Sequence, residues 1–511
     1  MIGGCVGARD ILRVRITAHF FGMKEKYYIT TTLPYVNAAP HIGFALESVQ
    51  ADVLARYARC TGKDVFFLTG TDEHGTKIAK SATLAGVSPK TFATQNSKQF
   101  RDLKKLLNLS WDFFIRTTDK KKHWPGVFAL WKALEASGDL YKKIYRGLYC
   151  YGCEAFLTDK DLTEGKCSIH QREPELIEEE NYFFRLSSYG KALRAKINNG
   201  EMRIIPEWRE KEILALIDNG LEDVSFSRSK EKLSWGIPVL GDENQTMYVW
   251  ADALTNYISA IGYGVSDDVF LKWWPADVHV LGKDVLRFHA AIWPAMLLSA
   301  KLPLPKKLFV HGFLTVEGQK MSKSLGNVIV PKELVAQFGT EAVRYYLLRE
   351  VSPVEDGDYS QDKFKKRYNA DLANGLGNFC SRVIGLALRC ENPISSSIKE
   401  IDLLVEQKIK STQKGIDDAL SEFKFNDALA ELWDLIAFGD KYINEKKPWV
   451  IQNVPHDNEH ALSNLLMIVQ SIGVFLAPFL PHTAKLISSS VSLKGKTAKV
   501  KKLPSLFPRL E

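Results

Sequence analysis

Three thiols and one imidazole recur in two knuckles, Cys150-x2-Cys153 and, thirteen residues on, Cys167-x2-His170. Four soft or borderline donors at this spacing suit tetrahedral Zn2+. A full set of four protein ligands leaves no open position for catalysis, so the ion is expected to be structural. Gly152 and Gly165 ease the tight turns. Pairing into disulfides is the alternative use of such cysteines. The chain has only seven Cys in 511 residues, an odd and sparse set that makes no disulfide scaffold. A reducing, cytoplasmic setting then favours metal ligation. Cys5, Cys60, Cys380 and Cys390 have no partners nearby in sequence and are read as unrelated to zinc.

Two further segments suit phosphate. Pro40-His41-Ile42-Gly43-Phe44 falls between a strand-like and a helix-like stretch. A helix start there offers unpaired N–H groups and a positive dipole end. Gly43 admits a nucleotide close to the backbone, and His41 can donate to a phosphoryl oxygen. Lys320-Met321-Ser322-Lys323-Ser324 lies between Gly318 and Gly326. Two ammonium groups and two hydroxyls on a glycine-hinged loop can close on a polyphosphate as its charge grows in the transition state. Each segment has a plainer reading, an exposed loop histidine and a solvated basic turn.

These groups need a scaffold. Tyr27–Leu33 and Val65–Thr69 read as buried strands, and Leu46, Val49, Val53, Leu54 and Tyr57 recur at helical spacing until Gly62. Helices are expected over Thr76–Ala85 and Pro89–Leu107. Apolar strands return at Val278–Leu281 and Leu308–Val310. Strand–helix–strand alternation predicts a parallel sheet with right-handed crossovers, here split by an inserted module. From about Lys363 the pattern is helical, with amphipathic stretches over Ile401–Ile416, Lys424–Ile443 and His460–Ile487, the last punctuated by Pro478 and Pro481. The basic run Lys494–Lys502 is expected to be a solvated tail. The expected division is an extension over 1–22 ahead of a folded protein starting at Met23, the first half of the sheet domain over 23–144, the insert and return over 145–235, the second half over 236–330, a connecting segment over 331–365 and a helical domain over 366–511.

Hydrophobic residues at 45% and charged residues at 25% exclude a disordered or collagen-like chain. No uninterrupted apolar run reaches the length of a membrane span. A net charge of +8 permits an anionic partner such as RNA without requiring one.

Together, the His41 and Lys320 motifs resemble the signature pair of class I aminoacyl-tRNA synthetases. One departure is Phe44, where that family usually has His. Leu33-Pro34-Tyr35, Gly70-Thr71-Asp72-Glu73-His74-Gly75, Tyr248-Val249-Trp250-Ala251-Asp252-Ala253, Gly282-Lys283-Asp284, Phe288-His289 and Trp293-Pro294 narrow the resemblance to the methionyl-tRNA synthetases. It covers nearly the whole chain from Lys24. It implies an α/β architecture: a class I Rossmann-type catalytic domain with a zinc-bearing connective insert, then an all-α helical-bundle anticodon-binding domain.

The resemblance also implies roles. His41, Gly43, Gly282, Asp284, Lys320, Ser322 and Lys323 would serve ATP. Leu33, Tyr35, Trp250, Ala253, Tyr257, His289 and Trp293 would line a pocket whose aromatic walls suit a polarizable thioether. Asp72 would take the substrate ammonium. Arg228 matches a family arginine near the reacting groups, although Ser229 follows it where Asp is expected. Asn374, Asn378 and Arg382 fall on one helical face by spacing. With Trp449, they match the positions that read the CAU anticodon of tRNA(Met). By spacing alone, a polar helix face and a core tryptophan would be the plainer reading. Mg2+ is expected with ATP. The chain stops soon after the helices, which points to a monomer. The alternative reading is a catalytically inert, RNA-binding relative. Metal analysis of freshly purified protein should find one zinc per chain; zinc-free protein would remove the assignment of the two knuckles.

Overall fold

The computed structural model describes residues 24–150, 155–157, 161–169, 171–321, 326–390, 401–449, 455–494 and 497–511. The expected extension over 1–22, and Cys153, His170, Ser322 and Lys323, lie outside the described residues.

Six strands form one wholly parallel sheet in the order Phe113–Arg116, Asp64–Thr71, Lys26–Thr31, Val278–Gly282, Lys307–His311, Arg203–Ile205. The two central strands are neighbours in space but some 250 residues apart in sequence, so the order reverses between Lys26–Thr31 and Val278–Gly282. Ligands of open α/β sheets bind outside the strand C-termini at such a switch point. The helix Ile42–Cys60 follows the first strand. His41 caps its start, and Gly62, with φ of +88°, follows its end as expected.

The insert is an antiparallel sheet. Leu140–Cys150 pairs with Glu175–Phe184 from Leu140 opposite Phe184 to Tyr149 opposite Glu175. The strand therefore starts before the change of composition at Tyr145, because Leu140–Ile144 carries no turn residue to stop it. The chain returns to the edge of the parallel sheet at Arg203–Ile205.

After the lysine motif, helices Pro331–Phe338 and Thr340–Arg349 and the strand Gly357–Tyr359 lead into the C-terminal helices Leu403–Ser421, Phe425–Lys446, Pro455–Leu476 and Pro481–Ser490. The break between the last two falls at the expected prolines. One of these helices, Asn458–Leu476, is long and apolar enough to cross a membrane, and most of it is buried in the bundle.

Three expectations are corrected here. The C-terminal part is not all-α, and its basic run is not a solvated tail. Val491–Lys494 and Thr497–Val500 form a hairpin pairing Val491 with Val500 and Leu493 with Ala498. These apolar residues alternate with polar ones, so one face of the hairpin packs on the core while the other stays wet. Thirdly, Tyr368–Gly377 is a π-helical segment that runs into the α-helix Asn378–Ala387. Its wider turn shifts the face on which Asn374 falls relative to Asn378 and Arg382.

The sheet and the bundle are joined by one buried guanidinium. Arg344 is fully buried. It donates from Nη1 to the Leu107 carbonyl (3.0 Å), from Nε to the Phe479 carbonyl (2.8 Å) and from Nη2 to the Pro478 carbonyl (3.3 Å). Its Nη1 also lies 2.8 Å from Oδ2 of Asp52, on the helix Ile42–Cys60. Burial would push the Asp52 carboxyl up, but Arg344 and Arg56 hold it below its ordinary value. An Arg344→Met variant should lose about 3–5 kcal/mol, the usual cost of orphaning a buried charge, seen as an earlier midpoint in urea unfolding.

Candidate active site

The helix start at Gly43 and the described part of the lysine motif lie side by side. His41 Nδ1 accepts the Gly43 N–H (3.1 Å), which leaves the ring proton on Nε2. The Ile42 N–H donates to the carbonyl of Ile329, just beyond the lysine motif (3.0 Å). A Cβ on Gly43 would sit 2.9 Å from the His41 ring and 3.8 Å from the Met321 methyl. Only a glycine lets the ring fold back over the helix start, and Met321 of the lysine motif lies directly against it.

Lys320 is exposed at the end of a hairpin whose turn residues, Glu317 and Gly318, both have positive φ. Asp358 accepts the Gly318 N–H (2.7 Å). Gly318 is therefore a pinned turn residue rather than the hinge expected from sequence. Phe44 is packed edge-on against Phe100 (5.3 Å between centroids). It belongs to the apolar layer under the helix, so where the family usually has His this chain has a core-packed ring.

At the neighbouring strand end, Asp284 folds back on Gly282, with Oδ1 2.7 Å from where a Cβ would stand. Beneath lies a pair the sequence reading missed, Glu47 and His311. Glu47 accepts from the Thr32 N–H (2.8 Å) and hydroxyl (2.6 Å). His311 Nε2 lies 3.0 Å from the second Glu47 oxygen, and Nδ1 lies 2.8 Å from the Gly312 carbonyl. Both partners are acceptors, so both ring nitrogens carry protons. Burial would lower the His311 pKa, and Glu47 raises it above the ordinary value. A carboxylate on the buried face of the first helix, one turn after Gly43, was the available signal.

Most of the aromatic residues of these motifs, Trp250, Tyr257 and Trp293, lie in one cluster, with Tyr35 packed against the neighbouring one. Tyr35 forms a bridge with Asp72, whose N–H donates to Pro34 (3.0 Å). Asp72 is buried. Trp250 stacks flat on Phe288 at 3.7 Å. Tyr257 packs against Trp293 (5.8 Å), and its hydroxyl donates to His289 Nε2 (2.7 Å). His289 sits on a π-helical turn, Phe288–Ile292, and its Nδ1–H donates to the Val285 carbonyl (2.9 Å). Ala253 is buried on the helix Val249–Leu254, and Leu33 is half-buried beside this cluster.

Arg228 lies on Ser227–Ser229, which pairs antiparallel with Asp242–Met247, the strand leading to Trp250. It pairs bidentately with Glu179 (2.8 and 2.9 Å) and stacks over Tyr149 (4.0 Å). Those partners belong to the insert, so Arg228 joins the insert to the strand leading to Trp250. Cys150 and Cys167 share one buried cluster with Leu157. Among the described residues no group of three or more His, Cys, Asp or Glu is arranged to hold a metal.

In the C-terminal part, Asn374 and Asn378 are exposed. Arg382 donates to Asn444 (2.8 Å) and covers the half-exposed Trp449 ring at 5.1 Å.

The split parallel sheet, with the described part of the lysine motif beside a helix start, fits the class I aminoacyl-tRNA synthetases, and likeness to known proteins shows that class. A family model described as tRNA synthetases class I (M) matches residues 27–167 and 159–384. One described as anticodon-binding domain of tRNA ligase matches 402–507. Methionine–tRNA ligase of Thermotoga maritima is 42% identical over 483 residues, covering 93% of this chain and 76% of the relative. That of Brucella suis is 41% identical over 471 residues, covering 90% and 91%. The structure of Mycobacterium tuberculosis methionyl-tRNA synthetase in complex with methionyl-adenylate matches with a TM-score of 0.89 at 35% identity, covering 95% of this chain and 100% of that one. This chain belongs to the methionyl-tRNA synthetase family.

Burial pushes the His289 pKa from 6.5 down to about 4. The unfolded chain takes up a proton near the ordinary value, whereas the folded one does not until much lower pH. Stability contributed by this neutral ring is present above that ordinary value and is lost as pH falls toward the folded pKa. Ring NMR signals of His289 should stay those of a neutral imidazole through pH 5.5. A titration near 6.5 would contradict this.

Proposed function

We propose that this chain is an ATP-dependent methionine–tRNA ligase. The methionine carboxylate attacks the α-phosphorus of ATP, giving methionyl-adenylate and pyrophosphate. The terminal ribose hydroxyl of tRNA(Met) then attacks the activated carbonyl and releases AMP. The observation that carries this reading is the contact of the lysine motif with the helix start at Gly43.

In this reading the work is positioning and electrostatics. His41 donates from Nε2 to the α-phosphate, and Gly43 gives that phosphate access to the backbone. Lys320, Ser322 and Lys323 meet the charge that grows on the β- and γ-phosphates as pyrophosphate leaves. Gly282 and Asp284 hold the ribose. Asp72 binds the ammonium, and Leu33, Tyr35, Trp250, Ala253, Tyr257, His289 and Trp293 enclose the thioether chain. With Nδ1 committed to Val285, His289 presents no positive charge to that apolar chain. Arg228 steadies the strand before Trp250 from the insert side. Mg2+ bound with ATP would neutralise phosphate charge.

Cys150, Cys153, Cys167 and His170 would hold a structural zinc. The burial of Cys150 and Cys167 in one cluster supports that donor set, and the ion would replace a core this small insert cannot build. Asn374, Asn378, Arg382 and Trp449 would bind the anticodon, an unstacked base lying on the indole face. The enzyme would act as a cytoplasmic monomer.

Methionine-dependent exchange of pyrophosphate into ATP tests the first step directly; its absence removes the reading. A Trp449→Ala variant should keep that exchange while charging of tRNA(Met) falls at least about tenfold, the scale of one lost stacked base. Equal loss of both activities would refute the separation of the two sites.

A further inference from the structure

The proposed methionine pocket contains a buried carboxylate that none of the roles above uses. Asp252 stands between Trp250 and Ala253 on the helix Val249–Leu254 and is 1% exposed. Its two oxygens have separate histidine partners. Oδ2 accepts from Nδ1 of His74 at 2.6 Å, and Oδ1 accepts from Nε2 of His123 at 2.7 Å. His123 is fully buried, and its other nitrogen lies 2.8 Å from the hydroxyl of Ser259, on the next helical turn Asn256–Ser259.

His74 closes the connection on the other side. It lies two residues after Asp72, in the turn that would hold the substrate ammonium. Its ring meets the Trp235 indole nearly edge-on at 5.4 Å. Trp235 in turn grips that same turn, donating from its indole N–H to the Glu73 carbonyl (2.6 Å) and accepting the Gly75 N–H (3.0 Å). His123 precedes the helix Trp124–Ala136, which approaches so closely that a Cβ on Gly126 would stand 2.6 Å from the Ser259 Cβ.

Burial pushes the Asp252 carboxyl up, yet the two imidazoles hold it below its ordinary value. An apolar residue would fill this space with no desolvation penalty. What it could not do is fix three backbone segments at hydrogen-bond distances. A pocket gains affinity when its walls are held in the bound arrangement beforehand.

We propose that Asp252, through His74 and His123, is the positioning residue that sets the affinity for methionine, by locking the Asp72 turn to the helix bearing Trp250 and Ala253. This rests on the reading of that pocket as the methionine site. The groups assigned to ATP lie on other elements, the starts of Ile42–Cys60 and Lys283–Val285 and the hairpin ending at Lys320. The connection therefore acts on one substrate and not on the other.

The test is pyrophosphate exchange by the full chain, with methionine and ATP varied separately. Asp252→Asn keeps the volume and removes the charge. Its KM for methionine should rise about tenfold or more while its KM for ATP stays within about twofold. His123→Gln removes the outer partner only, and its methionine KM should rise about threefold. Either variant showing this split, with a cooperative thermal transition retained, supports the proposal. A folded Asp252→Asn with wild-type methionine KM, or one that raises both KM values together, overturns it. Should Asp252→Asn not fold, His123→Gln decides alone, and an unchanged methionine KM overturns the proposal. Wild-type chain without methionine-dependent exchange takes down the underlying reading as well, and so is distinguishable from failure of this inference.

Discussion

Arg344 has no access to water, and that constraint organises how the sheet and the bundle meet. A buried guanidinium is tolerable only when its donors are matched and its charge is balanced. The matching groups come from three places: Asp52 on the first helix, the Leu107 carbonyl at the end of the helix Pro89–Leu106, and the carbonyls of Pro478 and Phe479 between the last two helices. None of the three can shift without uncovering a charge. The helix that His41 caps at its start is thus bound at its middle to the segment between the last two helices.

The site itself shows how surroundings divide the work of one residue type. His41 keeps its proton on Nε2 because its other nitrogen caps the helix. His311 faces two acceptors, and Glu47 holds its pKa above the ordinary value. His289 faces one donor and one acceptor in an apolar cluster and stays neutral. Imidazoles of opposite tendency thereby lie at and just after neighbouring strands of one sheet, Lys307–His311 and Val278–Gly282.

Much of this was legible in the sequence, and what escaped did so for identifiable reasons. The strands at Tyr27 and Val65 and the helix up to Gly62 follow from apolar spacing and a terminating glycine. The tail at Lys494–Lys502 misled because its lysines mask small apolar residues of period two, and only pairing with Val491–Lys494 makes the pattern count. The π-helical turn at Tyr368–Gly377 breaks the 3.6-residue period on which face assignments rest. Motif residues such as Tyr35 and Asp72 came together because the neighbouring strands Lys26–Thr31 and Asp64–Thr71 deliver them. Buried polar partners did not announce themselves. Glu47 with His311, Arg228 with Glu179 and Asp252 with its two histidines are separated by 49 to 264 residues. Such pairings are properties of the fold, and single-sequence spacing carries no record of them.

Arg344 ties the helix Ile42–Cys60 to the carbonyls of Pro478 and Phe479, so the helix start at Gly43 and the C-terminal helices belong to one packed body. If the polynucleotide contacts proposed for Arg382 and Trp449 and for the Gly43 end are both made, the second is an intramolecular event, at an effective concentration set by geometry rather than by supply. Two modest contacts then multiply for a partner that spans both, and a partner that reaches only one gains nothing from its other end.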